Sequence, residues 1–226
     1  MTRFKELCLD TATEDGEALG RFWAAATGGR YARTPGYAGG DVHGDVEGAG
    51  IAVCPVPEPK TVKHRVHLDV HTDSVQTLLD AGATVAPAPF NQSPGDQGWT
   101  VLLDPEGGEL CAFVREDVPA YRGYELVVDS VDAEAITRWW AGVLGVTPHN
   151  EGQTWWWLTD VPGVPFESWL FDAAISEPKT VKNRLHWDVY GDADELVARG
   201  ATKLWEMPRW IVLADPEGNE FCVFPE

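Results

Sequence analysis

Positive charge is scarce in this chain: 17 Lys and Arg stand against 36 Asp and Glu, a formal net charge of −19 over 226 residues. Nucleic acid is excluded as a partner, because neutralising phosphates requires clustered cations. An anionic membrane surface is excluded on the same ground. Long apolar runs are absent too, and nothing approaches the roughly 20 residues that span a bilayer. The opening residues, MTRFKELCLD, hold no apolar signal-peptide core, so a cytoplasmic location is the expectation. Four cysteines (Cys8, Cys54, Cys111, Cys222) are too few and too dispersed for a disulfide framework. There is no phosphate-binding glycine motif, no Cys-x-x-Cys and no His-Glu-x-x-His. The remainder is an ordinary globular mixture, 44% hydrophobic and 23% charged, long enough to bury a substantial core.

What the chain does have is an internal repeat. Glu-Pro-Lys-Thr-Val-Lys occurs at 58–63 and again at 177–182, an offset of 119. His67 and His186 share that offset, in HRVHLDV and NRLHWDV, and so do Glu6 and Glu125, in KELCLD and YELVVD. The halves close alike, on VLLDPEGGELCAFV and VLADPEGNEFCVF, here at an offset of 111. The first half therefore carries eight extra residues, which fall in the Pro/Gly-rich loop PAPFNQSPGDQG. Two domains, 1–116 and 122–226, joined by a linker at 117–121, are the expected organisation. The acidity belongs to both: 9 basic against 18 acidic residues in 1–121, and 8 against 18 in 122–226.

Each half reads as strand, helix, strands, then strand, helix, strands. Leu7 and Leu9 alternate with Glu6, Cys8 and Asp10, so the two sets face opposite sides of a strand. Residues 14–28 place Ala18, Leu19, Phe22 and Trp23 at helical spacing and end at Gly28. Arg65, His67 and Asp69 share one face of a later strand. Four βαβββ modules in an α+β protein are predicted.

The Phe-Trp or Trp-Trp helix, the His-x-Asp strand and the closing Asp-Pro-Glu-Gly-Asn-Glu-Phe strand resemble the vicinal oxygen chelate superfamily, in its glyoxalase-like branch. The resemblance spans nearly the whole chain, twice. It implies paired βαβββ modules, each pair forming an open curved sheet around a cavity. This fold hosts isomerases, dioxygenases and plain binding proteins, so chemistry must come from the residues.

Metal-using members of the superfamily take ligands from the first and last strands of paired modules. Carried onto this chain, the implied positions are Glu6, His67 and Cys111, with Glu125, His186 and Cys222 in the repeat. Cys111 and Cys222 occupy the place of the superfamily's usual closing carboxylate, and Cys54 and Ala173 take the remaining places. A Glu/His/Cys set suits zinc, nickel, cobalt or iron better than magnesium. The alternative is a pair of hydrogen-bonded histidines, held by Asp69 and Asp188 or by Glu6 and Glu125, with no cofactor. A site built within one half and a site built across the halves both satisfy the spacing. As an enzyme the chain would be a lyase or isomerase, with Glu6 or Glu125 shuttling a proton beside His67 or His186.

Tryptophan is distributed unevenly, with two in the first half and nine in the second. Trp155 and Trp157 share one strand face, and alternation places Trp169 with Phe171 and Ala173 on what reads as a cavity wall. A Trp-lined second half suits a flat or cationic small molecule. Sequestration of an aromatic or cationic natural product, without an obligatory metal and by a monomer or homodimer, is thus the leading expectation. The lysines of the repeated hexamer are expected on a surface crossover, and the Asp-Pro-Glu-Gly segments as turns.

Overall fold

The structure, a computed structural model, describes residues 1–90 and 98–226. The insertion inferred in the 87–98 loop falls largely at 91–97, outside the described residues. The four modules follow one another in order. The first is β1 (Arg3–Thr11), α1 (Glu17–Thr27), β2 (Arg30–Arg33), β3 (Gly40–His43) and β4 (Ile51–Pro55). The second is β5 (Val66–Thr72), α2 (Val75–Asp80), β6 (Thr84–Val85), β7 (Thr100–Leu103) and β8 (Glu109–Val114). The second half repeats the plan. It runs β9 (Gly123–Asp129), α3 (Ala133–Leu144), β10 (Pro148–His149), β11 (Trp155–Leu158) and β12 (Ser168–Asp172). It closes with β13 (Leu185–Tyr190), α4 (Ala193–Ala198), β14 (Thr202–Glu206), β15 (Ile211–Ala214) and β16 (Glu220–Phe224).

The modules pair across the halves. The first sheet runs β14-β15-β16-β13-β1-β4-β3-β2, and the second runs β10-β11-β12-β9-β5-β8-β7-β6. Each eight-stranded sheet, open at both ends, therefore takes one module from each half. The joins are antiparallel: β1 meets β13 with Cys8 opposite His186, and β5 meets β9 with Asp69 opposite Glu125. Of the two arrangements that the spacing allowed, the structure has the one across the halves.

The long helices cover one face of the sheets, and their sequences show why. In α1 the residues Leu19, Phe22, Trp23 and Ala26 recur at three and four and are buried; in α3 the same stripe is Ile136, Trp140, Val143 and Leu144. Both helices stop at a glycine in the left-handed region, Gly28 at φ 78° and Gly145 at φ 73°, a conformation that a side chain would strain. A single core joins these helices to both sheets.

Here the reading of Trp169 is corrected. Trp169 is fully buried, with its ring 5.1 Å from Trp140 and 4.9 Å from Trp187. Alternation along β12 does pair it with Phe171, but β12 lies in register with β9 so that Trp169 stands beside Leu126, on the helix-packed side. Trp140 and Trp187 are equally buried. Much of the tryptophan excess thus fills the core and does not line a ligand wall.

Candidate functional site

Strand alternation leaves each sheet with a second face, opposite the helices, where the polar residues of the His-x-Asp strands gather. On the second sheet, β5 contributes His67 and Asp69, β8 contributes Cys111, and β9 contributes Glu125. Asp69 is buried, and its Oδ1 accepts from His67 Nδ1 at 2.7 Å and from the Cys111 backbone N–H at 2.9 Å. Burial disfavours a charged His67 ring, but the charge and hydrogen bond of Asp69 outweigh it, and the His67 pKa is raised. Glu125, opposite Asp69, accepts from Ser168 Oγ at 3.4 Å. Burial, reinforced by the Asp69 charge, pushes Glu125 up to about 7. Burial also raises the Cys111 thiol, so it stays protonated. Beside this group, Phe113 packs against Trp99 (5.7 Å) and Tyr124 (4.9 Å), and His149 stacks on Trp157 (5.8 Å).

The corresponding face of the first sheet is richer in sulfur. Cys8, Asp10 and His186 bring their ligand atoms within 4.8 Å of one another, as do His186, Asp188 and Cys222. Cys54 on β4 lies 3.1 Å from Cys8, sulfur to sulfur. Unlike His67 and Asp69, this histidine and carboxylate are not mutually satisfied: His186 Nδ1 and Asp188 Oδ1 are buried without partners. Burial, with Lys182 nearby, lowers His186 to about 3 and so keeps it neutral; burial lifts Asp188 to about 6. Orphaned buried nitrogen and oxygen atoms beside soft thiols are a donor set that fits a divalent ion such as zinc.

The sequence-derived candidates therefore divide between two places. His67, Asp69, Cys111 and Glu125 meet on one face; His186, Asp188 and Cys222 meet on the other. Glu6 belongs with the second group: it lies opposite Asp188 on β1 and pairs with Lys5, so it does not join His67. Neither Glu6 nor Glu125 falls within the clusters of converging ligand atoms. Trp157 stands on the side of Leu170 and Glu125, and Trp155 opposite Asp172 is 39% exposed. Cys8, Asp10 and Ser168 join these groups although no motif marks them. The signal for the first two was available, since they alternate onto the same strand face as Glu6.

The repeated hexamer and the Asp-Pro-Glu-Gly turns are structural. Lys60 binds Glu109 at 3.0 Å and its counterpart Lys179 binds Glu220, while Lys63 and Lys182 pair with Asp129 and Asp10 of the opposite half. Asp104 and Asp215 each accept two backbone N–H groups of their own turn and the indole N–H of Trp23 or Trp140, both at 3.2 Å.

A search of curated protein sequences returns no significant match. Among solved structures, glyoxalase I from Zea mays superposes with a TM-score of 0.69 at 12% identity, covering 100% of this chain and 92% of that one. A putative dioxygenase from Bacillus subtilis does so with a TM-score of 0.60 at 10% identity, covering 99% and 84%. At such identities the likeness shows the fold alone. The sequence profile of the glyoxalase-like domain matches twice, over residues 6–113 and 125–224. With both halves matched and the fold in agreement, the chain belongs to the glyoxalase-like family of the vicinal oxygen chelate superfamily.

Proposed function

We propose that the protein is a lyase or isomerase of the glyoxalase type, which moves a proton on a small carbonyl compound held on the open face of the second sheet. The observation that carries this reading is Glu125, a buried carboxyl held at about 7 next to a hydrogen-bonded His67–Asp69 pair. A group that titrates near the working pH serves equally as acid and base, and such catalysis contributes about 10²- to 10⁴-fold. Glu125 takes the proton next to the carbonyl. His67, fixed through Nδ1 by Asp69, directs its other ring nitrogen toward the developing oxyanion. Phe113 and Tyr124, packed edge to face, provide an apolar flank. The groups that would hold a divalent metal, His186 with Cys222 and Asp188 or with Cys8 and Asp10, lie on the other sheet, and this proton transfer does not draw on them.

Deuterium wash-in from heavy water tests the proposal, using a panel of aliphatic and aromatic α-hydroxyketones and aldehydes. Wild-type protein should exchange the proton next to the carbonyl, with an inflection near pH 7. Glu125→Gln should lose about 100-fold or more of that rate. Exchange that persists in the variant, or is absent from the wild type, would overturn the assignment.

A second reading, sequestration of a planar cation, is favoured by Trp155, which is exposed and stands opposite Asp172. Quenching of tryptophan emission by planar cations that are returned unchanged would support it, and that response should be lost in Trp155→Ala. We take the working unit to be a monomer, since each sheet already holds a module from each half; light scattering of the purified chain tests this.

A further inference from the structure

The first sheet carries a pair of thiols that the acid–base chemistry does not use. Cys8 on β1 and Cys54 on β4 project from neighbouring parallel strands, in a register that sets Cys8 beside Ala52 and Asp10 beside Cys54. Their sulfurs are 3.1 Å apart, and both are free cysteines. The two differ in access, because Cys8 is buried and Cys54 is partly exposed. They also differ in surroundings. Cys8 lies opposite His186 on β13, and Cys54 lies beside Asp10.

We propose that Cys8 and Cys54 are a redox-active dithiol, converted to a disulfide that bridges β1 and β4 by a low-molecular-weight disulfide of the glutathione class. Cys54 is the attacking sulfur. Its thiolate bonds to one sulfur of the incoming disulfide, and the other sulfur leaves as a thiolate and takes up a proton. Cys8 then loses its proton, attacks the Cys54 sulfur of the mixed disulfide, and expels the second small thiol. Two protein thiols and one small disulfide become one protein disulfide and two small thiols, so atoms and electrons balance. Access favours Cys54 as the entry point. As the buried partner, Cys8 is the resolving sulfur of the second step. Cys222, on the same sheet, lies on β16, with β13 between it and β1.

Closing the bridge withdraws Cys8 from its grouping with Asp10 and His186. The second grouping on this face, His186 with Asp188 and Cys222, keeps all its members.

The test uses the intact chain, dialysed against chelator and incubated with oxidised glutathione, then denatured and alkylated with iodoacetamide. Two of the four cysteines should escape alkylation, and the peptide map should join the segments containing Cys8 and Cys54. In Cys8→Ser, Cys54 should stop at a stable glutathione adduct. Cys111→Ser, on the other sheet, should close the bridge as the wild type does. Four alkylated cysteines, a wild type halted at the mixed disulfide, or a link to Cys222 would each overturn the proposal. The wild-type peptide map decides the matter even if Cys8→Ser does not fold.

Discussion

At the scale of single residues, Glu125 shows how one position couples chemistry to stability. Its pKa is about 7 in the folded chain against an ordinary 4.5, so the folded state holds a proton that the unfolded state has released between those values. A raised carboxyl pKa makes stability fall as pH rises through that window. The full difference amounts to about 3 kcal/mol above pH 7. Glu125→Gln removes this penalty. Thermal melts should therefore show the variant close to wild type at pH 4.5 and distinctly more stable at pH 8. A variant equally or less stable at pH 8 would mean that the carboxylate is not held at a cost. The identity of this residue was legible in the sequence, because Glu6 and Glu125 sit at matching places in the repeat. Its setting was not, because burial and the facing Asp69 come from a strand 56 residues earlier.

At the scale of elements, what a sequence discloses is a strand's two faces, and what it withholds is which face another element covers. The stripe on α3 and the alternation on β12 were both readable. The side of β12 that takes Trp169 depends on its register with β9 and on where α3 lies. The cluster of Trp140, Trp169, Trp187 and Phe221 follows from that placement, with Trp140 in contact with each of the other three. Trp140 also donates its indole N–H to Asp215, which organises the turn before β16. Trp140→Ala should consequently cost about 3–5 kcal/mol in chemical denaturation. Trp140→Phe should cost less, by retaining the ring contacts and losing only the bond to Asp215. Equal losses in the two variants would place the energy in that bond and not in packing.

At the scale of the whole molecule, the repeat announced two halves while the topology divides the structure differently. Module pairing is set by contacts between β1 and β13 and between β5 and β9, about 180 and 60 residues apart, and no local pattern encodes that choice. Each half alone supplies one four-stranded part of each sheet and leaves both inner strands, such as β1 and β5, without the antiparallel neighbour they have here. The intact chain should accordingly unfold in one transition by calorimetry, with coincident near- and far-ultraviolet circular dichroism. Separately expressed halves should associate when mixed, with the sedimentation coefficient of the intact chain. Two resolved transitions in the intact protein would show that its halves are energetically independent.

The crossed pairing also bears on descent. A chain of half this length has two modules, and it could build sheets with this crossed pairing only around a two-fold axis with a second copy of itself. Both faces of such a pair would have been chemically identical, whatever the sequence. Fusion removed that constraint. One face now gathers thiols around an unpaired histidine while the other holds a buried acid beside aromatic rings. The divergence between the two sheets is thus a record of what joining the copies allowed: each surface could change without imposing the same change on its twin.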